Sequence, residues 1–138
     1  TLDRSSAAAD VYKRQTQWLG GIIAGGYMVV MGPDGLAEMG NTIAQRAAYA
    51  RNLISAIDGV TVMAPGTPCF KEFVIRFDHS TATVAGVNER LRAQGIFGGK
   101  DLSGEFPQLG QSALCCVTEQ HNKEDLDRFA GALSEALA

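Results

Sequence analysis

Seven apolar positions, Leu36, Met39, Ile43, Ala47, Ala50, Ile54 and Ile57, recur in steps of three and four. That spacing draws a single stripe along an α-helix of about six turns. A helix with one apolar stripe has to bury it, so the rest of the chain must supply a layer for it to lie on. Glu38, Arg46 and Arg51 fall off the stripe. Gly32-Pro33-Asp34-Gly35 breaks the chain before this helix, and Asp58-Gly59 ends it with a C-cap glycine.

The layer comes from the segments that follow. VTVM, Val60 to Met63, reads as a short strand, and APGTP, Ala64 to Pro68, turns the chain. In FKEFVIRF, Phe70 to Phe77, the apolar Phe73, Ile75 and Phe77 alternate with Glu72, Val74 and Arg76. That is a half-buried antiparallel strand. Ser80 or Thr81 can cap a helix that buries Val84, Val87 and Leu91 and closes at Gly95. GIFGGKDL, Gly95 to Leu102, is a short strand or loop, and SALCCVT, Ser112 to Thr118, has the near-continuous apolar character of an interior strand. Asn122 caps the last helix, with Glu124 and Asp125 in its first turn and Leu126, Phe129, Ala130, Leu133 and Leu137 inward. These elements predict an α+β fold: a small, mostly antiparallel sheet of three to four strands with helices on one face. The other face, carrying Glu72 and Arg76, is left without a cover.

Upstream, QTQWLGGIIAGGYMVVMGP, Gln15 to Pro33, holds no charge. Its continuously apolar part, about 14 residues from Trp18 to Met31, falls short of the roughly 20 that span a bilayer. Its GIIAG, Gly21 to Gly25, has the small-xxx-small helix-packing spacing. We expect a helix buried between other protein elements. SSAAADVYKRQ, Ser5 to Gln15, resembles translated adapter read-through, so residues 1–15 are set aside as a non-native segment. Residues 16–58 then form a helical approach and 59–138 a C-terminal α+β small domain.

Local chemistry is sparse. The net charge of −3, with basic residues scattered, gives no footprint for nucleic acid or a membrane surface. Cys69, Cys115 and Cys116 lack metal-ligand spacing, and neighbours on a strand point to opposite faces. His79 and His121 sit in the polar turns DHST and EQHN. A Cys69–His79 pair would span roughly 30 Å of strand. Gly98-Gly99-Lys100 lacks the remainder of a Walker-type cradle, and Lys100 beside Asp101 favours the charged, unreactive ammonium. Glu105, Glu119 and Glu124 show no paired arrangement. No catalytic, cofactor-binding or metal-binding residue is expected.

Four blocks carry a resemblance: GPDGLAEM (Gly32 to Met39), FKEFVIRF, VNERLRAQGIFGGKDL (Val87 to Leu102) and CCVTEQHNKEDLDRF (Cys115 to Phe129). Together, from about Thr16 to Leu137, they resemble the C-terminal part of glycine dehydrogenase (decarboxylating) subunit 1, the P-protein of the glycine cleavage system. The resemblance implies the small C-terminal domain of a fold type I pyridoxal-phosphate enzyme. It also implies glycine decarboxylation, with aminomethyl transfer to the lipoyl H-protein in a cytoplasmic heterotetramer. Pyridoxal phosphate and its lysine would then belong to the partner, subunit 2, leaving this fragment without a cofactor or catalysis of its own. Phe97, Gly98 and Gly99, with Glu72 and Arg76, are the expected interface, because glycine allows backbones to approach closely.

Two rival readings remain at this point. One is the small domain of another fold type I enzyme, an aminotransferase or desulfurase. Many of those carry an arginine on the last strand, and Gln111 to Glu119 contains none. The other is a stand-alone, non-enzymatic α+β binding module.

Overall fold

The computed structural model describes residues 2–78 and 83–137, with side chains from residue 17 onward. The chain divides into two compact units, Thr1–Met39 and Gly40–Ala138. The element order is α1 (Leu2–Ser55), β1 (Val60–Val62), β2 (Glu72–Phe77), α2 (Val84–Ala93), β3 (Lys100–Asp101), a 3-10 turn (Pro107–Leu109), β4 (Ser112–Cys116) and α3 (Lys123–Leu137).

In the first unit the expected break narrows to one residue. Gly32 has φ 65° and ψ 175°, a conformation open to glycine, and Pro33 restarts the helix at once. Proline's fixed φ suits a first helical turn, so no loop is needed. Tyr27 Oη donates to Met39 Sδ at 3.2 Å across the break. The apolar stretch before it is exposed, with Trp18 at 76% and Val30 at 85%. Among the described residues of this first unit the helix has no cover. By length and composition Gln17–Ser55 would also suffice to cross a membrane.

The second unit is built around a four-stranded antiparallel sheet in the order β1-β2-β4-β3. Val60 lies opposite Phe77, Val62 opposite Ile75, Ile75 opposite Ala113 and Phe73 opposite Cys115, and all are buried. These residues make the inner face of the sheet. Onto it pack Ala47, Ala50 and Ile54 of α1, Val84, Val87 and Leu91 of α2, and Leu126, Ala132, Leu133 and Ala136 of α3. The stripe that opened the sequence therefore finds its layer. The predicted class, helices on one face of a small antiparallel sheet, is the observed one. On the outer face Glu72 and Cys116 are exposed, while Val74, Arg76 and Leu114 are half-buried.

Helix ends follow local chemistry. Thr83 caps α2, its Oγ1 accepting from Gly86 N at 3.2 Å. The cap is thus Thr83 and not the expected Ser80 or Thr81, which with His79 lie outside the described residues. Gly95, at φ 72°, ends α2 with the paired bonds Gly95 N to Arg92 O and Ile96 N to Leu91 O. Asn122 caps α3 as expected. Asn122 Oδ1 accepts from Asp125 N at 3.0 Å, and Asp125 Oδ2 accepts from Asn122 N at 2.9 Å, a reciprocal pair that satisfies two orphan donors.

Candidate functional site

After Gly95 the chain has to run from the end of α2 to the sheet edge at β3 with little room. A Cβ on Gly98 would fall 2.0 Å from Asn88 Oδ1 and 2.9 Å from Leu91 Cδ1. One on Gly99 would fall 2.8 Å from Leu114 O and 2.9 Å from Ala113 Cβ. Asn88 Nδ2 donates to Gly99 O at 2.8 Å and fixes the crossing. The two glycines are there because helix, loop and strand press together. A Cβ at either position would collide with protein, so the bend needs glycine at both.

Lys100 opens β3, with Nζ 2.8 Å from the Glu105 carboxylate and both side chains more than half exposed. Its partner is Glu105 rather than the adjacent Asp101. Asp101 instead accepts from Ser103 N at 2.8 Å and Ser103 Oγ at 2.6 Å.

The bend forms one wall of a groove of about 400 Å³. Phe97, Gly98 and Gly99 face it from one side; Phe73, Cys115 and Val117 come from the sheet; His121, Leu126 and Phe129 come from the start of α3. Phe97 is 89% exposed. Glu72 and Arg76 are absent from this lining and lie on the outer face of the sheet, because they alternate with Phe73, Ile75 and Phe77 along β2. Arg76 there pairs with Asp78. The five expected interface residues thus form two separate groups.

The wall carrying His121 is held from α1. Arg46 Nη1 donates to His121 O at 2.7 Å and also to Glu119 O. His121 Nδ1 accepts from Thr118 N at 3.1 Å, which leaves Nε2 to carry the proton of the neutral ring. Nearby, Tyr49 Oη donates to Asp127 at 2.6 Å, and Lys123 Nζ lies 2.6 Å from the same carboxylate and 5.3 Å from the Tyr49 ring centre. Lys123, then Tyr49, hold the Asp127 carboxyl below its ordinary range. Arg51 clamps the β1–β2 turn through Ala64 O, Pro65 O and Thr67 O and touches Cys69 Sγ at 3.3 Å. Sequence reading placed Arg46 and Arg51 merely off the stripe. Their partners lie up to 75 residues away, where no spacing rule reaches.

The groove is mainly apolar, with His121, Asp125 and Arg128 adding polar and charged groups to its lining. Burial pushes the Cys115 thiol up to about 12, so it stays neutral and unreactive near pH 7. Cys116 faces out and Cys69 is half-buried; all three thiols are free. Among the described residues no group of His, Cys, Asp and Glu could hold a metal ion. The arrangement suits docking of an apolar side chain.

No protein-family model matches the chain. Over 115 residues it is 40% identical to probable glycine dehydrogenase (decarboxylating) subunit 1 of Thiobacillus denitrificans. That match covers 81% of this chain and 25% of the relative. Over most of its length the chain is similar to glycine dehydrogenase (decarboxylating) subunit 1 proteins. It spans about a quarter of the length of the curated relatives it matches. A solved inhibitor-bound glycine decarboxylase (P-protein) of the glycine cleavage system superposes with TM-score 0.71 at 29% identity, over 80% of this chain and 24% of that one. A cystine C–S lyase variant with glycine covalently linked to its pyridoxal-phosphate cofactor superposes with TM-score 0.61 at 14% identity, over 72% of this chain and 24% of that one. The second likeness shows the fold alone, a small antiparallel sheet with helices on one face.

Proposed function

We propose that this chain is the C-terminal small domain, with its helical approach, of a glycine dehydrogenase subunit 1, and that it acts as packed support rather than as a reaction centre. Residues 16–58 are the approach, 59–138 the domain, and 1–15 an adapter-derived segment outside both. The whole protein decarboxylates glycine and passes the aminomethyl group to a lipoyl H-protein, working in the cytoplasm with a second subunit. The observation that carries this reading is the 40% identity to the Thiobacillus denitrificans subunit over most of the chain.

The described residues do not fit a pyridoxal-phosphate site. Lys100 is salt-bridged in solvent, and the space above Gly98 and Gly99 is filled by Asn88, Leu91 and Leu114. No step is therefore routed through that cofactor here. The contribution of this chain is shape. Phe97 and the groove beside it form one docking surface, and Glu72 and Arg76 on the outer sheet face form a second, toward subunit 2.

A chimaera tests the reading. Residues 16–138 replace the corresponding part of the Thiobacillus denitrificans subunit 1, and glycine-dependent CO2 release is measured with subunit 2 and H-protein. Activity within about tenfold of the parent supports the proposal. A chimaera that folds and assembles but releases no CO2 counts against it.

A further inference from the structure

We infer that the groove beside Phe97 binds a free aromatic α-amino acid, with the ring on its apolar floor and the ammonium and carboxylate on Asp125 and Arg128. The inference rests on the proposed reading of this groove as a docking surface and names what docks there. All the lining residues belong to the second unit, so the site lies within one compact body. Its volume of about 400 Å³ is that of a small-ligand cleft, in which an apolar floor is joined by a few placed polar groups. Buried Phe73, half-buried Phe129 and exposed Phe97 all line it. Phenyl rings on three sides favour an aromatic guest, which can meet them edge-on or offset-stacked.

The charges decide the rest of the guest. Asp125 and Arg128 stand three residues apart on α3, a spacing that puts both on one helix face. Neither belongs to an ion pair among the described residues. Asp125 uses Oδ2 to accept from Asn122 N, and Arg128 uses Nη2 to donate to Gln94 O at 2.7 Å. The second carboxylate oxygen and the rest of the guanidinium are left for a guest. His121 adds a neutral donor at Nε2, since its Nδ1 accepts from Thr118 N. A zwitterion with an apolar body answers an acid and a base set over an apolar floor. A simple carboxylate would face Asp125 without compensation, and glycine would bring the charges without the body.

Both walls are fixed before a guest arrives. Arg46 Nη1 holds His121 O at 2.7 Å, and Asn88 Nδ2 holds Gly99 O at 2.8 Å on the opposite side. Walls held in this way lower the ordering cost of binding.

Saturation-transfer difference NMR of the chimaera with L-phenylalanine tests the site. The expected Kd is on the order of 1 mM, as suits a small guest in an open groove. N-Acetyl-L-phenylalanine and L-phenylalaninamide, each lacking one charge, bind about fivefold more weakly, and glycine does not compete. Asp125→Asn weakens L-phenylalanine by about fivefold yet leaves the N-acetyl compound unchanged, because the partner charge is already gone from that ligand. Arg128→Gln does the same for L-phenylalanine and the amide. Thermal midpoints close to that of the parent show that both variants keep the fold. Absence of transfer to L-phenylalanine from the folded chimaera overturns the inference. So does displacement by glycine, or a loss in Asp125→Asn that is equal for all three phenyl ligands. An inactive chimaera that binds L-phenylalanine sinks the family function and spares the site; an active one that does not bind it does the reverse.

Discussion

Asn88 and Gly99 are joined by a 2.8 Å bond from Nδ2 to the main-chain oxygen, tying α2 to the entry of β3. Everything in the bend depends on this clasp. Gly98→Ala pushes a methyl onto the Asn88 side chain, and Gly99→Ala pushes one onto Leu114 O, which is backbone and cannot rotate away. We expect losses of about 1–3 kcal/mol from this overpacking, with Gly99→Ala the worse of the two. Urea midpoints of the two variants check both size and order. Equal, near-zero shifts would remove the close-approach explanation.

The cysteines should separate by reactivity. Iodoacetamide at pH 8 alkylates exposed Cys116 first and Cys69 more slowly, and leaves Cys115 unlabelled until denaturant is added. Burial and a thiol pushed up to about 12 both protect Cys115. Peptide mass spectrometry over a time course shows the order; early labelling of Cys115 would contradict the assigned register of β4.

Core and staple make different contributions. Ile54 is 1% exposed beneath the sheet, so Ile54→Ala should cost about 2–5 kcal/mol. Arg46→Ala removes a charged donor from His121 O and Glu119 O and should cost about 1.5–3 kcal/mol. Hydrogen exchange distinguishes them. Arg46→Ala speeds exchange in residues 118–122, whereas Ile54→Ala speeds it across the second unit.

Acid sensitivity follows from Asp127. Its folded carboxyl is held low by Lys123 and Tyr49, so its stabilising contribution is present above the unfolded carboxyl range and is lost as pH falls through the folded value. Tyr49→Phe removes one of those partners and should flatten the fall in stability on acidification. Denaturation at a series of pH values from neutral to strongly acidic tests this. An unchanged slope in Tyr49→Phe would show that the 2.6 Å bond adds nothing.

Much of this fold was legible because its signals are local. Ile43, Ala47, Ala50 and Ile54 are buried as their spacing required, Phe73, Ile75 and Phe77 alternate inward, and Asn122 caps where its side chain can reach. Distance in sequence hid the rest. Tyr49 meets Asp127 and Arg46 meets Glu119 across more than 70 residues, and side-chain identity alone does not announce such partners. On α3 the inner face holds Ala132 and Ala136 where Ala130 was expected, and Ala130 is half-buried. Phe97 and Glu72, both expected at an interface, lie apart because the pleat of β2 and the bend after α2 separate them.

The central claim is that these residues give shape and leave the chemistry to other parts of the assembly. Glycine-dependent CO2 release by the Lys100→Ala form of the chimaera measures this most directly, since Lys100 sits in the glycine-rich bend. The account predicts a rate within about twofold of the parent chimaera. A fall of a hundredfold or more in a variant that melts normally would contradict it.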